Sequence, residues 1–328
     1  MATYPPTGFP FAAGSSNFGP TGQMLYITPK FAPRLLRKFY PMTAFAETCN
    51  DDYVGVVSKG ASVTIRKRPL INVSKYSTNS TAVIQNDVTS GSVTMNIDKS
   101  WQYGFPINAV QQHQTDVVGW EGEWEDDAMQ NTATAIELDF LSTLITQADS
   151  TNSGIAAGAI SANINLGSAA APVAVDSTNL VQKLVDCRTA LKENNIHGVR
   201  PWIYLPPWAT GAASQAQLLQ AIFTGDKESP LRKEELQDRA ENTAVGRIGA
   251  MQVYESNNIY TSAGVWYCLF GCREAVTFAT QIQIAERLKN PNDFGDIQRG
   301  LQVYGYLASI PTGVGVLAIT PGSNVAQS

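Results

Sequence analysis

The chain has 328 residues, a formal net charge of −5, 44% hydrophobic and 16% charged residues, 26 glycines and 17 prolines. That length exceeds one average domain, and so few charges on a globular composition imply an exterior largely covered by partners. The sequence contains no run of about 18 apolar residues, which excludes a membrane-spanning helix, and MATYPPTGFPFAAGSS lacks the basic-then-apolar order of a secretory signal, so synthesis in a cytoplasm is expected.

Charge is distributed unevenly. Up to Lys75 there are nine Lys or Arg against three acids, whereas Ser100 to Gln182 holds ten acids and no Lys or Arg. Nucleic-acid binders present a basic face on a folded domain; a basic arm beside an acidic body reads instead as self-complementarity, the arm of one copy lying on the body of another. Two separate solvated faces are the alternative, because exposed charge pairs contribute little energy.

In chain order, residues 1 to about 30 are rich in Gly, Pro, Ser and Phe without periodicity. They read as an extended arm with aromatic anchors at Phe9, Phe11 and Phe18, since disorder alone would not need them. A short helix is predicted near Pro33 to Phe39, with Leu35, Leu36 and Phe39 on one side. From Asn50 to Ile107 the pattern is that of two strands joined by a long polar tip. Val63, Ile65, Ile71 and Val73 alternate with Thr64, Arg66, Asn72 and Ser74, and Val93, Met95 and Ile97 alternate with Thr94, Asn96 and Asp98. A two-stranded ribbon is marginally stable alone and needs a surface to lie on.

The longest helical pattern follows, from about Asp116 to Ala148. Ile136, Phe140, Leu144 and Ala148, flanked by Leu141 and Ile145, build one apolar stripe. Trp120 and Trp124 are expected to anchor this helix against the core. Its acids Glu121, Glu123, Glu125, Asp126 and Asp127 suit the positive end of the helix dipole. Ser150 to Val175 reads as a low-complexity surface loop or hairpin marking a domain boundary. A helix capped at Asp176-Ser177-Thr178 buries Leu180, Leu184, Cys187 and Leu191 and ends by His197-Gly198. The strand Pro201–Leu205 stops at Pro206-Pro207, a third helix spans about Thr210 to Phe223, and Glu228 to Asn242 is charged and exposed. Strands then dominate: Met251–Tyr254, Val265–Phe270, Ala275–Phe278, Ile282–Ala285 and Gln302–Ile310. The class is α+β, with the last strands returning to the long helix.

Catalytic chemistry finds little support. Five carboxylates on the first turns of a helix are ordinarily a solvated face, although such clusters can shift pKa values. His197 reads as a helix C-terminal cap, and His113 has no Ser or Cys near it in sequence. Thr312-Gly313-Val314-Gly315-Val316 lacks the Lys-Ser/Thr of a phosphate loop and precedes no helix. Cys49, Cys187, Cys268 and Cys272 lack ligand-spaced histidines and read as buried thiols rather than zinc ligands. Arg66-Lys67-Arg68 can touch nucleic acid, but on a ribbon it better suits an acidic neighbour.

Four pieces, in order, carry a resemblance. They are Asn50-Asp51-Asp52-Tyr53-Val54-Gly55 with Gly60 and Val63-Thr64-Ile65; Asn96-Ile97-Asp98 with Tyr103-Gly104-Phe105; Gly246-Arg247-Ile248-Gly249-Ala250-Met251-Gln252-Val253-Tyr254-Glu255-Ser256-Asn257-Asn258; and Phe294-Gly295-Asp296-Ile297 with Gly300-Leu301-Gln302-Val303-Tyr304-Gly305, closing on Pro311. Together the chain resembles tailed-bacteriophage major capsid proteins of the Hong Kong 97 type. The resemblance implies an α+β fold with an arm (1–48), an extended loop (49–100), a peripheral domain with a long spine helix (101–156), an axial domain (157–276) and return strands (277–328). It further implies pentamers and hexamers tiling an icosahedral shell around double-stranded DNA held without sequence-specific contacts, possible scaffolding, portal and decoration partners, no cofactor, no metal and no catalysis. The virion would be its location. Candidate interface residues are Arg66, Lys67, Arg68 and Lys75 on the loop and the five acids Glu121 to Asp127. A covalent crosslink through Lys59, Lys67 or Lys75 is not carried over. Another self-assembling virion component, such as a tail-tube or decoration protein, is the alternative, and a cytoplasmic enzyme of unrecognised fold is a third reading.

Overall fold

The computed structural model describes residues 43–52, 62–69, 71, 73, 90–114, 120–197, 199–215, 244–248 and 250–322. The arm anchors Phe9, Phe11 and Phe18, the helix expected near Pro33, Lys75 and the charged stretch from Glu228 to Asn242 lie outside them.

Two sheets share one core. The smaller has three antiparallel strands in the order β10 (Val276–Lys289), β11 (Gly295–Ala308), β3 (Lys99–Asn108). The larger is mixed and runs β4 (Val173–Val175), β12 (Val314–Pro321), β9 (Val265–Cys272), β5 (Pro201–Leu205), β7 (Met251–Glu255), β6 (Ala244–Ile248), with β8 (Thr261–Ser262) on β9. Two strands of one sheet continue into the other through single 3-10 turns, β9 into β10 at Arg273–Ala275 and β11 into β12 at Pro311–Gly313. These crossings let one cluster of buried side chains run from Phe140 and Tyr304 to Leu184, Ile203 and Leu317.

β12 departs from expectation. Its residues looked like a glycine-rich loop near a chain end, yet Val314–Ile319 are all buried and pair with β9, and Ile319–Pro321 pair with β4. The glycine at position 315 is needed for close approach: a Cβ there would overlap the Phe270 ring and meet the Asn152 carbonyl at 2.6 Å. A strand buried on both faces carries no alternation, which is why its apolar run gave no periodic signal. The chain after residue 276 therefore serves both sheets.

The long helix is α3 (Trp120–Leu144), extended by a 3-10 turn at Ile145–Gln147, and α2 (Ala109–Gln114) comes before it in the chain. The apolar stripe is as expected, with Ile136, Phe140, Leu141 and Leu144 all buried. Trp124 is not part of it. That side chain is 41% exposed and meets Phe105 of β3 edge-on at 5.8 Å.

α4 (Leu180–Glu193) buries Leu180, Leu184, Cys187 and Leu191 as its spacing predicts. Asp176 accepts hydrogen bonds from the Thr178 and Asn179 amides at its start. Its end comes earlier than expected: Asn194 donates its backbone N–H to Ala190, Asn195 donates its own to Lys192 and turns to φ +61°, and His197 lies beyond, exposed and off the helix. The stretch from Ser150 to Val175 lies largely at the surface, with Ala157 and Ile164 paired as in the expected hairpin, but it is pinned to the core at a few points. Asn152 is fully buried and its side-chain amide donates to the carbonyls of Thr312 and Val314, while Ala157 and Leu166 are also buried. α5 (Pro207–Gln215) begins at Pro207, where a missing N–H costs nothing.

A candidate assembly surface

The ribbon pairs β1 (Ser62–Arg66) with β2 (Ser92–Asn96) in antiparallel register, Val63 opposite Met95 and Ile65 opposite Val93. Its alternation ends sooner than the sequence implies: Ile71 and Val73 are exposed and lie in no strand. The inward side chains Val63, Ile65, Met95 and Ile97 pack on Ala279, Val303 and Leu307 of the three-stranded sheet. Gly305 makes this seat possible, because a Cβ there would collide with the Asn96 carbonyl and lie 3.0 Å from the Ile97 Cα. Side chains alternate along a strand, so Val303 and Leu307 occupy the face opposite Tyr304 and Tyr306, which meet α3. The sheet is thus sandwiched between helix and ribbon root. Beyond the root the same face is open, with Ile284, Leu288 and Leu301 each more than a third exposed.

At the end of the ladder away from the sheet, where Arg66 pairs with Ser92, Arg66, Lys67 and Arg68 are all exposed, and the Lys67 amide donates to the Gly91 carbonyl at 2.7 Å. Among the described residues, none of the three forms an ion pair with the acids of α3 in the same chain. Those acids divide into two groups. Glu121 accepts from Arg287 of β10 at 2.6 Å and from Gln112 at 2.7 Å, and Glu125 accepts from Gln298 of β11 at 3.1 Å. Arg287 also binds Asp296 at 2.7 Å. These ties fix the start of α3 to the sheet, and the spacing of residues gave no hint of Arg287 as a partner. Glu123 and Asp126 face solvent, and Asp127, half-buried, accepts from Asn131.

Two polar sets, one buried and one partly exposed, hold α3 in place. Glu137, fully buried, accepts from the Ala44 amide at 2.7 Å, Ser256 Oγ at 3.2 Å and Asn258 Nδ2 at 2.5 Å. Burial pushes its carboxyl up from the ordinary range, against the pull of those donors. It joins the segment before α1 (Phe45–Thr48), the spine and the β7 exit at one point. Further along, Lys99 of β3 donates to both carboxylate oxygens of Asp139, at 2.9 and 2.8 Å, and to the Tyr306 hydroxyl at 2.6 Å. Tyr304 also donates to Asp139 and accepts from the Trp101 indole. Burial raises the Asp139 carboxyl, but the bonds from Lys99, Tyr306 and Tyr304 outweigh it and leave the group below its usual value. Sequence periodicity cannot reveal either set, because their members lie 40 to 207 positions apart.

Between the outer edge of β3 and α3 runs an open groove of about 520 Å³, lined by Trp101, Tyr103, Phe105, Trp124, Asn131 and Thr132 among others. The described residues contain no group of three or more metal-ligating side chains, and no described helix is long and apolar enough to cross a membrane. The four cysteines are buried and free, with burial pushing the Cys49 thiol up to about 12 and that of Cys272 to about 11. Such thiols are inert packing groups.

No family model matches the chain, and no curated protein does. Solved structures match over nearly its whole length. One from Mycobacterium phage Che8 has a TM-score of 0.69 at 19% identity, covering 89% of this chain and 96% of the other. The capsid of cyanophage P-SCSP1u gives 0.67 at 16%, covering 94% and 98%. The capsid of Ralstonia phage GP4 gives 0.61 at 11%, covering 95% and 100%. At these identities the likeness establishes the fold, and the expected α+β capsid fold is the one the chain adopts.

Proposed function

We propose that this chain, which has the fold of phage capsid subunits, is a major capsid protein: a non-catalytic component of the virion that assembles in many copies into the shell of a tailed phage head. The observation that carries this reading is agreement with capsid structures over about nine-tenths of the chain. The surface supports it. A ribbon whose root is seated on its own sheet extends beyond that seat, and the same sheet face stays open and apolar beside it. A monomer exposing such a face is an aggregation hazard; a lattice of copies covers it.

In finer terms, α3 and the three-stranded sheet form the peripheral domain, and the larger sheet with α4 and α5 forms the axial domain, β12 included. Residues 49–100 form the extended loop and residues up to 48 the arm. Copies group as pentamers and hexamers around double-stranded DNA, which is held without sequence-specific contact, and scaffolding, portal or decoration proteins join as the particle requires. Arg66, Lys67 and Arg68, with Lys75, face the acids of a neighbouring copy. Glu123 and Asp126, both exposed, are the favoured partners, since Glu121 and Glu125 are engaged within the subunit. Electron microscopy of the purified full-length chain tests the reading. Closed shells are expected; open tubes would favour a tail component, and particles no larger than a few subunits would refute the shell.

A further inference from the structure

A second cavity, in the half of the molecule built on the larger sheet, is walled by cations. It holds about 380 Å³ and lies where the end of α4 meets the starts of β5 and β7 and the end of β6. Arg188 and Lys192 come from α4, on one face of it because residues four apart stack along a helix. His197 and Arg200 come from the segment between α4 and β5, and Arg247 comes from β6. Strand pairing gathers them: β5 runs parallel to β7 with Trp202 opposite Gln252, and β6 runs antiparallel to β7 with Arg247 opposite the same residue. The rest of the lining is apolar but for Gln252.

Among the described residues no carboxylate lines this cavity. The two acids of α4 are engaged elsewhere. Asp186 pairs with Lys183 at 2.9 Å, and Glu193 accepts from the amides of Ile160 and Ser161, both at 2.9 Å. Lys192, His197 and Arg200 are exposed and pair with no carboxylate among the described residues. The negative end of the α4 dipole favours a cation in its last turn, but capping does not account for the set. The carbonyls of Ala190, Leu191 and Lys192 already accept from the amides of Asn194, Ile196 and Asn195. Arg200 and Arg247 are supplied by the sheet side of the cavity, not by the helix.

A concave wall of one sign concentrates the field and draws in counter-charge. Arg188, Lys192, Arg200 and Arg247 bring four positive charges to one cavity. A single carboxylate would neutralise one of them, whereas a phosphate group carries up to about two charges and three acceptor oxygens. Three of the four are arginines, whose planar fork meets phosphate oxygens two at a time. We propose that this cavity is a binding site for a phosphate-bearing anion, either a free polyphosphate or the backbone phosphates of nucleic acid. Its lining is complete within one subunit, so the proposal goes beyond the capsid reading and does not depend on it.

Calorimetric titration of unassembled full-length subunits, in a phosphate-free buffer of low salt, tests the site. One arm uses sodium pyrophosphate and the other a short DNA duplex. The variant Lys192→Ala/Arg200→Ala removes two exposed cations of the cavity, and Arg66→Ala/Lys67→Ala removes two exposed cations of the ribbon. Pyrophosphate is expected to bind wild type and the ribbon variant alike, and the cavity variant about tenfold or more weakly. A duplex that binds when pyrophosphate does not, and loses affinity only in the cavity variant, assigns the site to nucleic-acid phosphate. The slope of log affinity against log salt should then be shallower by about two in that variant. If melting shows the double variant to be misfolded, Arg200→Gln alone carries the comparison. The site is overturned if neither probe binds wild type, or if the cavity and ribbon variants change binding equally. Loss of shells in Lys192→Glu/Arg200→Glu, with neither probe binding wild type, would make the cavity a contact for the acids of another copy and overturn it as well.

Discussion

At the scale of single residues, the spine helix is fixed by two carboxylates with opposite titration behaviour. Glu137 sits fully buried among three donors from separate parts of the chain. Glu137→Ala leaves those donors unpaired, each at a cost of about 1–3 kcal/mol where water cannot replace the acceptor. Thermal melting of the variant at neutral pH checks this, and an unchanged midpoint would refute the role. Its carboxyl is raised by burial, so the folded state binds the proton more tightly than the unfolded chain. That contribution to stability is fully present below the ordinary glutamate value of about 4.3 and is lost as pH rises through the elevated folded value. Compared with Glu137→Gln, wild type should therefore gain stability as pH falls from neutral towards that window. Asp139 behaves the other way. Its folded value is depressed, so its contribution is present above the ordinary aspartate value of about 3.9 and is lost as pH falls through the folded value. Asp139→Asn should lower stability at neutral pH by about 1 kcal/mol, since the pair with Lys99 is partly exposed, and should flatten the acid-unfolding limb. Acid titration followed by circular dichroism distinguishes the two residues.

At the scale of elements, the contrast is between side chains the helix buries and those it presents at the groove. Phe140 is fully buried and packs on Phe45 at 6.2 Å and Tyr306 at 5.3 Å. Phe140→Ala should cost about 3–5 kcal/mol, the usual range for a buried aromatic. Trp124, two-fifths exposed against Phe105, should cost only about 1–2 kcal/mol as Trp124→Ala, because much of its area stays in water in the folded subunit. Denaturant melts of the two isolated subunits give the ranking, and equal losses would mean that Trp124 is a core residue after all.

At the scale of the whole molecule, the proposed assembly has the charge asymmetry act between copies. Arg66, Lys67 and Arg68 have no acidic partner among the described residues of their own chain, while Glu123 and Asp126 remain exposed. Reversing the three cations to Glu should spare the folded subunit and abolish shells. Raised salt should weaken wild-type assembly once the screening length falls to about 8 Å or less. Light scattering against ionic strength measures both, and a triple variant that assembles at wild-type yield would remove these residues from the interface.

Much of this protein was legible in its residues, and the limit has a physical origin. Wherever one face is buried and the other wet, periodicity reports it: the α3 stripe, α4, and the alternation within β1 and β2 all follow from spacing. What spacing could not report were features without a wet face or without local partners. β12 is buried from Val314 to Ile319, and its start reads as a glycine-rich loop. The sequence marked Trp124 as an anchor because aromatic residues at helical spacing are commonly buried, but whether a stripe meets core or groove depends on where the sheet edge falls. Glu137, the Lys99–Asp139 pair and Arg287 join positions far apart in the chain. Long-range pairing of this kind is decided by tertiary packing alone, because a polar group's partner is set by whichever strand comes to lie beside it and leaves no periodic trace in the sequence.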